Sequence, residues 1–405
     1  ETDLSSIAIV GPVTLNGGVL SGTGVIDGAL SFNGGYISPG NSPGLIDVTG
    51  NYSQGSGATL IVEAAGGEAD QFDRLQIGGS AALNGTIRVR TINGYVPLEN
   101  DPFVPVGASS FSGAFSSSSA NVQLTMTSTG VVAVLNPSAP NPILGQPINI
   151  STRAQVLDGD SVMIGGFTIT GSTSKNVLLR AIGPSLADYK VNGPLADPTL
   201  ALFDTSGRIT SNDDWKINDD THQSQEASIP EKLRPTRAAE SVIIATLAPN
   251  HLYTAIVRGK DGGTGVALVE AYDMDTGTTA ILSNISTRGV VGTDDNVMIG
   301  GFMVAESGPA KVVVRGLGPS LTQFGVAGAL QDPVLRIFDS NGNELVRNDD
   351  WNTDQAAELT ALGRAPEDPR EPAIVKTLTP GSYTAILNGK DGSTGVGLVE
   401  VFSVQ

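Results

Sequence analysis

The stretch Asn149-Ile-Ser-Thr-Arg153 returns 135 residues later as Asn284-Ile-Ser-Thr-Arg288. At the same offset, Met163-Ile-Gly-Gly-Phe167 returns as Met298-Ile-Gly-Gly-Phe302. A unit this long is a whole domain, because the repeats of solenoid proteins span only about 20–50 residues. The sequence therefore predicts two homologous domains, which we call copy 1 (148–275) and copy 2 (276–405).

Composition indicates a turn-rich β protein. The 405 residues include 51 glycines, aromatic residues make up 5 %, and the net charge is −18. Nucleic acids and anionic membrane surfaces reward basic patches, so this charge argues against both as partners. The sequence contains no run of 18 apolar residues that could span a bilayer. Because the sequence starts at Glu1, we expect a mature or trimmed chain. The absence of cysteine and the composition are typical of an exported bacterial protein, at the cell surface or outside the cell.

Residues 1–136 consist of short apolar runs separated by Gly and Asn. Spacers such as Asn33-Gly-Gly35 and Asn84-Gly85 supply the positive φ angles that tight corners need. Short strands between such corners favour a short parallel β-helix, with an antiparallel sandwich as the alternative. The Pro-rich stretch at 137–147 is typical of a stiff linker and separates this part from the two copies.

The segment Gly34-Gly-Tyr-Ile-Ser-Pro-Gly-Asn-Ser-Pro-Gly-Leu45 resembles the passenger repeats of autotransporter-type surface proteins. So do Val48-Thr-Gly-Asn-Tyr-Ser-Gln54 and the run from Asp73 to Val89. This resemblance implies the last coils of a right-handed β-helix.

Each copy shows regular short strands with Asp, Asn and Gly between them. This pattern predicts two homologous antiparallel β-sandwiches of jelly-roll type, so the predicted fold class is all-β throughout. A helical turn is expected only at Ala356–Leu362.

Within copy 1, Pro198–Asp204, Asn212–Trp215, Tyr253–Val257 and Gly265–Glu270 follow one another in an order that copy 2 retains. This order resembles the bacterial pre-peptidase C-terminal domain and the collagen-binding domains of secreted collagenases. The resemblance implies β-sandwiches appended to exported enzymes, some of which bind calcium.

Acidic and amide residues supply the candidate metal ligands. Calcium takes six to eight oxygen ligands, which loops rich in Asp and Asn can provide. The alternative is that these side chains cap turns by accepting hydrogen bonds from nearby backbone amides. The candidates are Asn212, Asp213, Asp214 and Asp204 in copy 1, and Asn348, Asp349, Asp350 and Asp339 in copy 2.

Trp215 and Trp351 are the two tryptophans of the chain, and each follows two carboxylates. An exposed tryptophan here would stack on a sugar ring or a matrix protein, whereas a buried one would close the end of a sandwich core.

Arg180 and Arg315 lie within apolar strands. We expect each to be a buried strap paired with a carboxylate such as Asp197 or Asp332.

No catalytic residues are predicted. The two histidines lie in polar contexts and have no counterparts between the copies, and the coil region shows no evident facing pair of carboxylates. The leading hypothesis is a non-enzymatic structural or adhesive surface protein, in which a strand at Ser6–Val10 could join a neighbour's sheet in a filament or layer. The alternatives are a calcium-dependent module binding polysaccharide or matrix protein, and a polysaccharide-degrading enzyme.

Overall fold

The computed structural model describes residues 2–3, 8–40, 43–139, 147–275, 280–305 and 308–404. Part of the predicted strand Ser6–Val10, most of the predicted linker, and the second boundary at 276–279 lie outside the described residues. Within them, strands dominate and the predicted all-β class is confirmed.

The strands of the N-terminal part pair mainly in parallel. They are β1 (Thr2–Asp3), β2 (Ala8–Val10), β3 (Val13–Leu15), β4 (Val19–Gly22), β5 (Gly24–Asp27), β6 (Leu30–Pro39), β7 (Leu45–Val48), β8 (Tyr52–Ala64), β9 (Arg74–Leu83), β10 (Thr86–Thr91), β11 (Pro102–Gly113), β12 (Ser117–Ser118), β13 (Val122–Met126) and β14 (Gly130–Leu135).

These strands stack in three parallel columns. The first runs β2-β5-β7-β9-β11, the second β3-β6-β8-β9-β11, and the third β1-β4-β6-β8-β10-β12. Long strands such as β6 and β8 turn a corner and so belong to two columns. This is the pairing that a β-helix requires, and the β-helix assignment itself stays a prediction.

The interior of the columns is filled by aligned aliphatic side chains. In the third column Leu20 pairs with Ile37, Ile37 with Leu60, and Leu60 with Ile87, and all four are almost fully buried. Each such side chain contributes about 1.5–3 kcal/mol through burial. The coils therefore stabilise one another chiefly by stacking.

One corner requires glycine because successive coils touch there. A Cβ on Gly28 would lie 2.5 Å from the carbonyl carbon of Gly11, and one on Gly50 would lie 2.7 Å from that of Gly28. The backbone nitrogen of Gly50 donates to the carbonyl of Gly28 at 3.0 Å. No other residue could occupy these positions without separating the coils.

The two ends of the columns differ. At the far end, β14 pairs antiparallel with β11 and with β13, which covers the first column, whereas β12, the last strand of the third column, pairs only with β10 among the described residues. At the near end, β1, β2 and β3 each pair on one side only among the described residues. We call this near end, formed by β2 and β3, the open end.

The strands of the two copies are antiparallel. Copy 1 contains β15 (Pro147–Val156), β16 (Met163–Thr170), β17 (Lys175–Ile182), β18 (Pro198–Asp204), β19 (Gly207–Asn212), β20 (Ser241–Leu247), β21 (His251–Gly259) and β22 (Gly265–Asp273). Copy 2 contains β23 (Ile281–Val291), β24 (Met298–Val304), β25 (Ala310–Leu317), β26 (Pro333–Asp339), β27 (Glu344–Asn348), β28 (Ala373–Leu378), β29 (Gly381–Gly389) and β30 (Gly395–Ser403).

The helical elements are short. The predicted helical turn is confirmed as α1 (Ala356–Ala361). Short 3₁₀ helices lie at Pro184–Tyr189, Glu226–Ser228, Glu231–Leu233, Lys260–Gly262, Asp294–Asn296, Pro319–Phe324 and Lys390–Gly392.

The sheets cross the boundary between the copies. Sheet I has the order β19-β18-β21-β16-β23-β30-β25-β28, and sheet II the order β27-β26-β29-β24-β15-β22-β17-β20. Each sheet thus has eight strands, four from each copy. One buried cluster contains residues of both copies. We call this unit the double sandwich.

The seam between the copies is built from the repeated motifs themselves. Ser151 of β15 lies opposite Gly301 of β24, and Ser286 of β23 lies opposite Gly166 of β16. A Cβ on Gly301 would lie 2.7 Å from Ser151 Oγ. The Asn-Ile-Ser-Thr-Arg motif of each copy therefore pairs with the Met-Ile-Gly-Gly-Phe motif of the other copy.

Candidate functional site

Each copy places a lysine beside two aspartates at the end of a sandwich. In copy 1, Lys260 Nζ lies 2.5 Å from Asp213 Oδ2 and 3.7 Å from Asp197 Oδ2. The lysine begins a tight turn whose next residue, Asp261, has φ 53°. The Lys260 backbone nitrogen also donates to the Asp197 carbonyl at 2.8 Å, so the turn is tied to the start of β18.

Copy 2 repeats this arrangement and adds a third carboxylate. Lys390 Nζ lies 2.7 Å from Asp349 Oδ2 and 3.6 Å from Asp332 Oδ2. One carboxylate oxygen each from Asp332, Asp349 and Asp350 lie within 4.8 Å of one another. The adjacent pair Asp349 and Asp350 was predicted from the sequence, but Asp332 was expected to pair with an arginine instead.

Both clusters contain buried carboxylate oxygens that accept no hydrogen bond. The Oδ1 atoms of Asp197, Asp213, Asp332 and Asp349 are buried and have no hydrogen-bond partner. Burial raises the pKa of Asp197, and neighbouring Lys260 only partly offsets that rise. The hydrogen bonds to Asp213 and Asp349 raise the pKa of Lys260 and Lys390.

Such a cluster can bind a cation in addition to, or in exchange for, the lysine. Buried carboxylate oxygens without donors are the ligand type that calcium prefers. The ammonium group of Lys390 already neutralises part of the charge, so a metal ion would have to displace it or share the site. The donor set therefore fits a cation in copy 2, where three carboxylates converge.

Asn212 and Asn348 were predicted as metal ligands, and in the structure their side-chain oxygens accept hydrogen bonds from backbone amides. Asn212 Oδ1 accepts from the backbone nitrogen of Val242 at 2.8 Å, and Asn348 Oδ1 accepts from that of Ala373 at 3.0 Å. Both amides cap the outer edges of β20 and β28, so their oxygens are engaged with backbone.

Asp204 and Asp339 are turn caps rather than parts of the acidic clusters. Asp204 Oδ1 accepts from the backbone nitrogen of Ser206 at 2.7 Å, and Asp339 Oδ1 from that of Asn341 at 2.9 Å. Hydrogen bonds from Asn343 lower the pKa of Asp339. The alternative interpretation from sequence, turn capping, describes these two residues.

Trp215 is buried in the core of copy 1, whereas Trp351 is only half-buried in copy 2, and its predicted ligand-stacking role stays a prediction. Trp215 is 5 % exposed and packs with Leu178, Ile229 and Val242. Trp351 is half-buried and packs against the corresponding cluster of copy 2. The predicted ligand-stacking role of Trp215 is therefore wrong in this structure, because its ring faces other side chains.

Arg180 and Arg315 are straps, as predicted, but their partners differ from the predicted ones. Arg180 Nε donates to Glu270 Oε2 at 2.8 Å, and Arg315 Nε donates to Glu400 Oε2 at 2.9 Å. The guanidinium of Arg180 also donates to the Leu233 carbonyl, which ties the loop that contains Leu233 to β17. The glutamates lie directly across from the arginines on β22 and β30.

Sequence reasoning missed a buried glutamate in each copy. Glu240 Oε1 accepts from the backbone nitrogen and the hydroxyl of Ser185, at 2.9 and 2.5 Å. Glu371 Oε1 does the same for Ser320, at 2.9 and 2.6 Å. The repeated Gly-Pro-Ser-Leu segments were the available signal, since their free amides need an acceptor.

The coil region contains one acid pair that the sequence did not indicate. Asp73 Oδ2 accepts from the backbone nitrogen of Glu63 at 2.9 Å, and Glu63 forms an ion pair with Arg90. Burial, together with the nearby Glu63, raises the pKa of Asp73 well above its usual value. Asp73 is fully buried, so substrate cannot reach it.

Comparisons with known proteins leave the family open. No protein family and no curated protein matches the chain. The similar solved structures include the major capsid protein P2 from Bacteriophage PM2, at 11 % identity over 62 % of this chain and 98 % of that one, with a TM-score of 0.18.

They also include PNGF-II, at 10 % identity over 66 % of this chain and 62 % of that one, with a TM-score of 0.18. Bacteriophage CBA120 tailspike protein 4 matches at 12 % identity over 67 % and 44 %, with a TM-score of 0.15. Scores this low carry no functional argument. Among the described residues, no helix has the length and apolar character needed to cross a membrane.

Proposed function

We propose that this chain is a non-enzymatic structural protein of the cell exterior. In this proposal the three columns serve as a stalk that associates end to end, and the double sandwich serves as an attachment module. The observation that supports it is the open end, where β2 and β3 pair on one side only among the described residues and carry apolar side chains that are not fully buried.

At the open end, apolar side chains that continue the core remain partly exposed. Ile9, Val13 and Leu15 pack against the coil core but are only half-buried, whereas their stacked neighbours Ile26 and Leu30 are buried. Val10 is 83 % exposed. Unpaired strand edges beside apolar side chains are a template for pairing with another chain. A second copy of this chain is the proposed occupant.

The test is the association state of the full chain by negative-stain electron microscopy and light scattering. We expect linear oligomers or sheets, and we expect Val10→Lys or Ile9→Lys to disperse them. Val96→Lys is the matched control, because Val96 is 73 % exposed but lies away from the open end. Monomers at high concentration, or equal effects of all three variants, would contradict the proposal.

A second candidate is calcium-dependent binding, favoured by the convergence of Asp332, Asp349 and Asp350. We expect terbium luminescence sensitised by Trp351, the neighbour of Asp350, and we expect calcium to quench it. Asp350→Asn should reduce the signal, while Asp354→Asn, an exposed acid nearby in sequence, should not. A signal that Asp350→Asn leaves unchanged would exclude this cluster.

A further inference from the structure

Two exposed aromatic rings occupy the same position in the two copies. Tyr189 is 80 % exposed and Phe324 is 75 % exposed, and they are the exposed aromatic side chains among the described residues. They lie 135 residues apart, which is the offset of the repeat. Exposed apolar residues scattered singly need no explanation, but two at equivalent positions, in a chain with 20 aromatic residues in all, do.

Each ring stands at the end of a 3₁₀ helix that is anchored at its other end. These helices are Pro184–Tyr189 and Pro319–Phe324, and their first turns are held by the buried carboxylates of Glu240 and Glu371. The residue after each ring takes a left-handed conformation that ends the helix. The rings are thus held out from the surface by well-ordered backbone.

A polar contact beside each ring ties the helix to the loop that precedes the buried glutamate. Arg237 Nη2 donates to both Asp188 oxygens, at 2.8 and 2.9 Å, and Gln323 Nε2 donates to Glu367 Oε2 at 2.5 Å. All four side chains are exposed enough to make further hydrogen bonds to a ligand. Each ring therefore has planar hydrogen-bonding groups beside it.

The copies retain the ring but not its hydroxyl group, since tyrosine in one is phenylalanine in the other. This favours a ligand that contacts the face of the ring. The residues next to each ring in the sequence are polar or small, namely Asp188 and Lys190 in copy 1 and Gln323 and Gly325 in copy 2, so each ring is an isolated apolar group along its own segment. A protein partner would need a larger apolar surface. The net charge of −18 disfavours an anionic membrane.

We propose that Tyr189 and Phe324 are two binding sites for a neutral polysaccharide. Each ring stacks on the face of one sugar unit, and the flanking carboxylate, guanidinium and amide groups bond to its hydroxyls. One double sandwich carries both rings, so the chain offers two such sites to a repeating polymer. This inference gives a ligand class to the proposed attachment role and rests on that role, but it does not depend on end-to-end assembly.

Native gel electrophoresis in gels that contain a soluble neutral polysaccharide tests this. A panel of β-glucan, xylan and galactomannan is used with the full chain, whose acidic pI of about 4.4 drives migration. At least one polymer should retard the protein. Tyr189→Ala or Phe324→Ala should each remove one of the two sites and so weaken the retardation. The double variant should migrate freely.

Tyr189→Phe should bind as the unaltered chain does, and Leu252→Ala, another exposed apolar residue, is the matched control. Unchanged circular dichroism shows that the variants fold. Retardation that survives in the double variant, or no retardation by any polymer, overturns the inference. Ring-dependent binding to phosphatidylcholine vesicles without polysaccharide binding also overturns it. The assembly assay is separate, so failure of one proposal is distinguishable from failure of the other.

Discussion

Glu240 and Glu371 show how one residue can hold a repeated motif in place. Each carboxylate is fully buried and accepts both hydrogen bonds that its serine offers. Charged hydrogen bonds of this kind are worth about 1.5–3 kcal/mol each, and an orphaned donor adds a desolvation cost. The Gly-Pro-Ser-Leu segment therefore depends on an acid that lies more than 50 residues further along the chain.

We predict that Glu240→Ala lowers the free energy of unfolding by about 3 kcal/mol or more, because the Ser185 amide and hydroxyl lose their acceptor. Glu240→Gln should cost less, since it keeps one acceptor oxygen. Urea denaturation followed by tryptophan fluorescence measures both. Glu231→Ala, an exposed glutamate of the same loop, should leave the midpoint unchanged. A Glu240→Ala variant as stable as the unaltered chain would show that water satisfies these donors.

The role of a candidate residue could be predicted from the sequence when its partners lie close to it in the chain. Asp204 and Asp339 cap turns within their own loops, which composition alone anticipates. The cluster around Lys390 joins residues from three separate segments, and no local pattern indicates that meeting. The sequence indicated Asp349 and Asp350 as candidate metal ligands. It could not indicate Asp332, the third carboxylate, because only the folded chain brings that residue beside them.

At the scale of elements, glycine corners and apolar runs predicted most strands, and the helical turn at α1. The pattern could not tell which copy a strand joins. Asn149–Arg153 and Asn284–Arg288 have the same sequence, so β16 could pair with either one on local grounds alone. Chain connectivity and packing decide in favour of the other copy's strand.

The seam leads to a prediction for Gly301, which lies opposite Ser151. Gly301→Val would crowd the close approach of β24 to β15 and should cost about 1–3 kcal/mol. Met303→Val, on the same strand but partly exposed, is the matched control and should cost less. Thermal and urea unfolding measure the difference.

The cooperativity of the whole double sandwich can be read with one reporter per copy. Trp351→Phe leaves Trp215 to report copy 1, and Trp215→Phe leaves Trp351 to report copy 2. Because both sheets contain strands of both copies, Gly301→Val in copy 2 should shift the copy 1 transition equally. A shift confined to the Trp351 signal would show that the copies unfold independently.

At the scale of the molecule, the open columns and the double sandwich have opposite surface properties. Two of the outer strands of the double sandwich, β20 and β28, are partly covered, since Asn212 and Gln225 bond to Val242 in copy 1, and Asn348 and Gln355 bond to β28 in copy 2. The open end has no such cover among the described residues. Self-association is therefore expected at the open end more than along the covered strands β20 and β28.

The exchange of strands across the seam also bears on how such a gene can change. Crossover between the two homologous segments would delete one unit and leave the other with strands that lack their pairing partners. A single unit could complete its sheets only by pairing its strands with those of a single unit from another polypeptide. Lineages that gain or lose these units are therefore expected to do so in pairs, keeping an even number.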